Sequence, residues 1–509
     1  MEKHQKYSWR IILCLIAINY IWSIVPVNAQ RNFNKNWVLG SWSSPDDNKG
    51  ELVEIRFNDT GIIDMVEIVG PFHIREGVAC ISDKNGVLKT WTNHCAVFNR
   101  MYDTLIGSYR MRENDLGGYC RYNGGSPFAS SVMIIPWPGQ EGVYQLFYTN
   151  ENGHLGLASK YKPFISYLNG AVLDFRNNPQ GEITQSWQLL YEDTITVSHL
   201  TACRHRNASD WWICTPMDAK PCYAMHTLSD TGYAFHHQQC LGDRNFGNQD
   251  AFGQASFSPD GKYYARYYSS YGLHLFEFND STGMLSNPRY IDIPLNTVDY
   301  PDGGICFSPN SRFIYIPCQK YLFQYDLEEK DIEANYILID TLDLTSGKEF
   351  IADFNQAALG PDGRIYICGA WNHRYLHVIN RPNCKGKDCD LVQQSIHLPV
   401  ENTFGIPNVP HFINWKDRSP DCITTKVIDH NSLFDKVKIN VLDKFLKMNI
   451  DDELINTRME LFNIDGRILT SELLVKNYNS ISLLQLPEGI YLIRLSKNGR
   501  MKTFRIFNF

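Results

Sequence analysis

Three segments of the chain align without a gap over a dozen positions: Gln254-Ala-Ser-Phe-Ser-Pro-Asp-Gly-Lys-Tyr-Tyr-Ala265, Gly304-Ile-Cys-Phe-Ser-Pro-Asn-Ser-Arg-Phe-Ile-Tyr315 and Gln356-Ala-Ala-Leu-Gly-Pro-Asp-Gly-Arg-Ile-Tyr-Ile367. Their prolines, Pro259, Pro309 and Pro361, recur at a period of about 50 residues, which suits one four-stranded blade of a β-propeller. Proline fixes φ for a tight turn, and the Asp-Gly or Asn-Ser that follows tolerates the rest of the turn geometry, so the chain reverses between two strands. Ser256, Cys306 and Ala358 are small, as inner strands crowding around an axis require. Phe257, Phe307 and Leu359 are placed to fill the space between neighbouring blades. A further apolar strand follows each turn: Leu275-Phe-Glu-Phe278, Leu322-Phe-Gln-Tyr325 and Leu376-His-Val-Ile379.

Earlier segments keep the rhythm in diverged form. Val78-Ala-Cys-Ile-Ser-Asp-Lys-Asn-Gly-Val87 leads into Leu88-Lys-Thr-Trp91. Ser131-Val-Met-Ile-Ile-Pro136 leads to Tyr144-Gln-Leu-Phe-Tyr148, and Leu200-Thr-Ala-Cys-Arg-His-Arg-Asn207 to Asp210-Trp-Trp-Ile-Cys214. A seventh blade is expected from Asn36–Leu39 and Leu52–Phe57, joined by Phe412–Trp415, because a blade shared between the two ends closes a ring and removes exposed edges. The expected class is all-β: a seven-bladed β-propeller followed by a small Ig-like β-sandwich.

The expected domains are a signal peptide at 1–29, the propeller at 30–415, a polar linker at 416–431 and a C-terminal module at 432–509. Lys3, Lys6 and Arg10 precede an apolar run from Ile11 to Val25 that is short for a membrane span. Val27 and Ala29 place signal cleavage between Ala29 and Gln30, and no later run is long enough to span a bilayer. The formal charge of -7 gives no footprint for a phosphate backbone, so nucleic acid is not an expected partner. Of fourteen cysteines, Cys14 leaves with the signal peptide. Cys384 and Cys389 are close enough in sequence to close a small disulfide loop outside the cytoplasm, while Cys306 and Cys318 read as small buried apolar residues.

Over residues 36 to 415 the landmarks Ala79-Cys-Ile-Ser-Asp-Lys-Asn-Gly86, Ser131-Val-Met-Ile-Ile-Pro136, Asp210-Trp-Trp-Ile213, the three proline turns and Gly405-Ile-Pro-Asn408 resemble extracellular propeller proteins of Bacteroidetes, related in broad shape to WD-repeat and lactonase-like propellers. That resemblance implies a fold and a location, and no reaction. Beyond residue 432, Lys436–Leu442, Arg458–Asn463, Ile481–Gln485, Gly489–Leu495 and Met501–Phe507 alternate apolar and polar residues as strands do, with Asp465-Gly466 and Asn498-Gly499 as hairpin turns. Glu460-Leu-Phe-Asn-Ile-Asp-Gly-Arg467, Leu486-Pro-Glu-Gly-Ile-Tyr-Leu-Ile-Arg494 and Lys502-Thr-Phe-Arg-Ile506 resemble the C-terminal sorting domain, type A, of type IX secretion cargo. The resemblance implies that residues 432–509 engage the type IX machinery and that the protein is secreted or attached to the outer surface.

No catalytic, cofactor or metal motif stands out. Cys203, His205, His236, His237 and Cys240 are the densest possible ligands, but adjacent His236 and His237 on a strand are expected to face opposite ways and so not to share an ion. Asp46, Asp47 and Asn48 could bind Ca²⁺ but read first as a solvated turn. Alternation places one of Trp211 and Trp212 inside and the other outside, where it could stack on a sugar. The expected function is a non-catalytic module binding an extracellular protein or glycan. The alternatives are a propeller hydrolase, lactonase-like or glycan-cleaving, and a structural subunit of a surface assembly.

Overall fold

Each repeat turn is built by its own side chains. Ser258 donates its hydroxyl to Asp260 at 2.7 Å and accepts the amide of Tyr263 at 2.9 Å; Ser308 does the same with Asn310 at 2.6 Å and Phe313 at 2.9 Å. The fourth turn position has φ of 71° at Gly261, 63° at Ser311 and 84° at Gly363, the left-handed region that glycine enters most easily. In the computed structural model the described residues are 32–41, 50–70, 73–108, 120, 125–151, 166–218, 220–242, 253–268, 271–294, 303–343, 352–413, 415, 422, 434, 437–442, 444–463, 467–497 and 500–508. The expected signal peptide with its Ala29/Gln30 cleavage point, Asp46, Asp47, Asn48, and the turns Asp465-Gly466 and Asn498-Gly499 lie outside them.

The chain is all-β and divides into two compact units, residues 1–421 and 422–509. Among the described residues the first unit holds seven antiparallel sheets, each drawn from one continuous stretch of chain with its strands in sequence order. The first comprises Asn36–Gly40, Gly50–Phe57 and Ile62–Gly70, and the second Ala79–Ser82, Leu88–Thr92 and Val97–Asn99. The third to seventh have four strands each; their inner strands are Val132–Pro136, Thr201–Arg204, Gln254–Phe257, Cys306–Phe307 and Ala357–Leu359.

These sheets are covered on both faces, which explains their nearly unbroken apolar runs. In the fourth sheet Trp211 and Ile213 join a core shared with the third, while Trp212 and Cys214 join one shared with the fifth. In the sixth, Ile314 and Ile316 face the fifth, and Phe313 and Tyr315 face the seventh. Tyr366 and Cys368 of the seventh sheet share a core with Trp37 and Leu39 of the first, and the Trp37 ring meets Tyr366 edge-on at 5.5 Å. Neighbouring sheets therefore pack in sequence order, and the last packs on the first.

Among the described residues Phe412–Trp415 does not complete the first sheet as expected; that sheet is built from its three early strands. The segment is drawn inward instead. Asn408 donates its backbone N–H to the carbonyl of Val78 at 3.0 Å and its side-chain amide to the carbonyls of Val132 and Leu200 at 3.1 and 2.8 Å. His411 donates to the carbonyl of Phe257. Phe412 packs edge-on against Trp211, and Ile413 and Trp415 enter the core between sheets six and seven. A short stretch thus touches sheets two to seven because it passes among their inner strands. Gln254 makes the matching link for the others: it donates to the carbonyl of Ala357 at 3.2 Å and accepts the amides of Ile305 and Ala357 at 3.2 and 2.9 Å.

Among the described residues the second unit holds two antiparallel sheets around one core. Lys438–Leu442, Phe445–Asn449 and Tyr478–Ser482 form one; Ile468–Leu474, Thr457–Phe462, Gly489–Lys497 and Arg500–Asn508 form the other. Phe434, Leu446, Met448, Met459, Leu461, Ile493 and Leu495 fill the space between them.

Candidate recognition face

In an up-and-down sheet the start of the inner strand lies beside the turn between the second and third strands, so both features gather at one end of sheets two to seven. That end carries residues other than glycine in the left-handed region: His94 (φ 73°), Ser130 (51°), His199 (66°), Trp371 (66°) and Asn372 (52°). Such backbone is uncommon and persists only where surrounding contacts hold it.

Around His94 those contacts form a buried polar chain. The His94 imidazole lies 2.8 Å from Ser131 Oγ through Nδ1 and 3.3 Å from Asn150 Oδ1 through Nε2. An amide oxygen only accepts, so Nε2 carries the proton and the Ser131 hydroxyl donates to Nδ1. Burial pushes His94 down to about 4 and keeps it neutral. Gly77 is required here, since a Cβ would lie 2.8 Å from Ser131 Oγ. The chain Ser131–His94–Asn150 has the connectivity of a nucleophile, base and orienting group, yet Ser131 is fully buried.

Trp371 is the opposite case. It stands 58% exposed in the turn between the second and third strands of the seventh sheet, with its ring edge-on to buried Phe404 at 5.1 Å. Thr403 donates to Asn372 Oδ1 at 2.5 Å, and Asp353 accepts the Ala370 amide at 2.6 Å, so both shoulders of the turn are tied down. Tyr268 and Tyr271 stack at 5.1 Å at the same end of the fifth sheet. A depression of about 520 Å³ lies elsewhere, at turns of the first two sheets, lined by Lys35, Phe57, Asn58, Asp59, Asn85 and Gly86. Its two charged groups pair with each other at 2.5 Å.

The residues singled out from the sequence fall differently. Trp211 and Trp212 are both buried, at 0% and 1% exposure, so neither is offered to a sugar; a sheet with neighbours on both sides has no outer face. Trp212 donates its indole N–H to the carbonyl of Asp280 at 2.8 Å. Cys389 is a free, buried thiol in the core that holds Phe313 and Tyr315, while Cys384 is engaged in another disulfide, so the expected Cys384–Cys389 loop does not form. The short helical turn Gly386–Cys389 carries Cys389 inward, where burial pushes its thiol up to about 11. Two further disulfides are Cys95–Cys120 and Cys222–Cys240, the latter between directly opposed residues of neighbouring strands.

That leaves Cys240 unavailable as a metal ligand, and Cys203 is a buried thiol with its pKa raised by burial. The His205 ring lies tilted against Trp212 at 5.4 Å, and its Nδ1 accepts the Asn207 amide at 3.0 Å. His236 and His237 do not face opposite ways. The strand Gly232–Cys240 slips register between the pairs Met225–His237 and His226–Phe235, leaving His236 as the extra residue of a β-bulge, and the two Nδ1 atoms lie 2.7 Å apart. Parity fails at a bulge, and nothing in the local residues marks one.

Residues 435–507 match the family model of the secretion system C-terminal sorting domain. No curated protein matches the chain. Among solved structures, a protein from Lactobacillus plantarum aligns at 11% identity and a TM-score of 0.38, covering 73% of this chain and 98% of that one. A putative 6-phosphogluconolactonase from Bacteroides fragilis aligns at 9% identity and 0.37, covering 72% and 96%. The Cps50 (Swd1) β-propeller domain of Myceliophteria thermophila aligns at 7% and 0.35, covering 66% and 93%. These likenesses carry no argument about chemistry. Among the described residues no helix is long and apolar enough to cross a membrane. The sorting domain does carry an argument about destination: the protein is exported to the cell surface or the extracellular space by the type IX route.

Proposed function

We propose that the first unit is a seven-bladed propeller that works as a non-catalytic recognition module, presenting the end that carries Trp371 to an extracellular glycan or protein. The Bacteroidetes assignment, the type A class of the sorting domain and a leader cleaved between Ala29 and Gln30 belong to the same reading, with the type IX machinery engaged through residues 432–509. The observation that carries it is Trp371: a large aromatic left 58% exposed on a backbone held in the left-handed region by the Thr403–Asn372 and Asp353–Ala370 bonds. Aromatic faces with a fixed orientation bind sugar faces and protein anchors at small entropic cost. Screening the mature protein on glycan arrays and by affinity electrophoresis in polysaccharide gels tests it. Trp371→Ala is expected to abolish retardation while leaving the melting temperature unchanged; unaltered binding refutes the assignment.

A second reading, a hydrolase, is favoured by the Ser131–His94–Asn150 chain. A fluorophosphonate probe that labels wild-type protein and spares Ser131→Ala supports it, whereas absence of labelling sinks it. A histidine held near 4 is a weak base at neutral pH, and Ser131 has no exposed surface, so the chain reads first as a structural network.

A further inference from the structure

The bulge in the fourth sheet brings together two side chains that an unbroken strand keeps apart. We propose that His236 and His237 form a two-imidazole binding site for a divalent transition-metal ion such as Zn²⁺ or Cu²⁺, with water completing the coordination. Imidazole nitrogens bind these ions at about 2.0–2.1 Å, so two on one ion sit about 3 Å from each other. The Nδ1 atoms already lie 2.7 Å apart as a hydrogen-bonded pair, so an ion displaces the shared proton, one ring moves to its Nε2–H tautomer, and the rings turn until both Nδ1 lone pairs meet on the metal.

This convergence is fixed by the backbone. The register slip leaves His236 outside the ladder and turns it to the side of His237. The His236 ring is then held from behind. His236 meets the edge of Trp212 at 4.9 Å, and Trp212 is itself anchored to the carbonyl of Asp280. A few residues on, the disulfide between Cys222 and Cys240 locks the same strand to its neighbour. His236 is exposed and His237 half-buried, so an ion reaches the pair from solvent and keeps open positions for water.

Among the described residues no group of three or more His, Cys, Asp or Glu gathers to hold an ion, so this pair is a two-ligand site. Two neutral ligands hold an ion loosely and leave it exchangeable, unlike a closed four-ligand structural zinc. Affinity should follow the usual order for nitrogen sites, with Cu²⁺ held more tightly than Zn²⁺ or Ni²⁺.

The test uses the full mature protein, Zn²⁺ competed against a chromophoric chelator, and Cu²⁺ followed by electron paramagnetic resonance. One equivalent of Zn²⁺ is expected to bind, with affinity falling at least tenfold in His236→Ala and in His237→Ala and unchanged in His205→Gln. The first equivalent of Cu²⁺ should show two coupled nitrogens in wild type and one fewer in each single variant. Equal Zn²⁺ affinity in wild type and the His236→Ala/His237→Ala double variant, or a first Cu²⁺ equivalent whose spectrum is identical in all of them, overturns the proposal. Both imidazoles are at the surface edge of a disulfide-anchored strand, and matching circular dichroism spectra separate loss of ligand from loss of fold.

Discussion

The fourth sheet of the first unit and the Thr457–Phe462 sheet of the second share the same pleat but meet different surroundings. Trp211 and Trp212 point to opposite faces and both are buried, because another sheet lies on each side. In the C-terminal sheet one face packs on the core through Met459, Leu461, Ile493 and Leu495, while Leu473 on the neighbouring strand is 58% exposed. Alternation therefore reports burial only where one face is wet. In a sheet covered twice it reports which neighbour a side chain meets.

Four measurements can break or sharpen that contrast. The largest expected effect comes from ending the chain at Asn431. This removes the second unit's strands and should abolish surface display, leaving the product in the periplasm with the first unit's thermal transition intact. Normal display in fractionated cells contradicts the sorting role; a periplasmic but unfolded product shows instead that the tail supports the fold.

Substitution of the doubly covered tryptophans comes next. Trp211→Ala or Trp212→Ala should cost about 3–5 kcal/mol in denaturant unfolding of the first unit, against about 0.5 kcal/mol or less for Leu473→Ala in the second. Comparable losses at the two sites contradict the distinction between sheets covered on two faces and on one.

The units should also separate by pH. Burial lowers His94 to about 4, His226 to about 3 and His411 to about 4, all in the first unit, whereas residues 432–509 contain no histidine. Each folded pKa lies below the unfolded value near 6.5, so the unfolded chain takes up protons first as pH falls. The stabilisation is complete above about pH 6.5 and is lost as pH falls towards 4. Differential scanning calorimetry should show the first unit's transition falling by several degrees between pH 7 and 4.5, with the second's moving less. Parallel shifts count against buried neutral histidines as the cause.

The smallest effect concerns the segment among the inner strands. Asn408→Ala strips the carbonyls of Val132 and Leu200 of their side-chain donor and should cost about 1–3 kcal/mol, as should Gln254→Ala on the other side. Asn408→Asp, which keeps the shape but loses the donor, should be at least as costly. A neutral Asn408→Ala means that water replaces the amide and that the segment is held by Phe412 and Trp415 alone.

Much of the architecture was legible because its signals are local. The Ser258 and Ser308 turns close on residues within five positions, so their pattern survives in the sequence. The C-terminal strands alternate because one face is wet, although Phe445–Asn449 and Ile468–Leu474 leave little such signal, being short or exposed along most of their length. The sorting domain was readable from the order of its motifs at the end of the chain.

The rest depends on contacts between residues far apart in sequence. Whether Cys389 meets Cys384 or a buried core depends on how the Gly386–Cys389 turn packs between sheets six and seven. Phe412 could join the first sheet or the inner strands, and the competition is settled by Trp211 and the carbonyls of Val78, Val132 and Leu200, between about 200 and 330 residues earlier. His236 and His237 face one way because a single extra residue opposes Met225 and His226, a register choice set by strand pairing and invisible to strict alternation. By itself the sequence determined the repeat, the turn chemistry and the sorting module, which close on near neighbours. Only the tertiary structure decided which faces are covered, where the inward segment runs and which histidines meet, because those outcomes follow from packing between sheets.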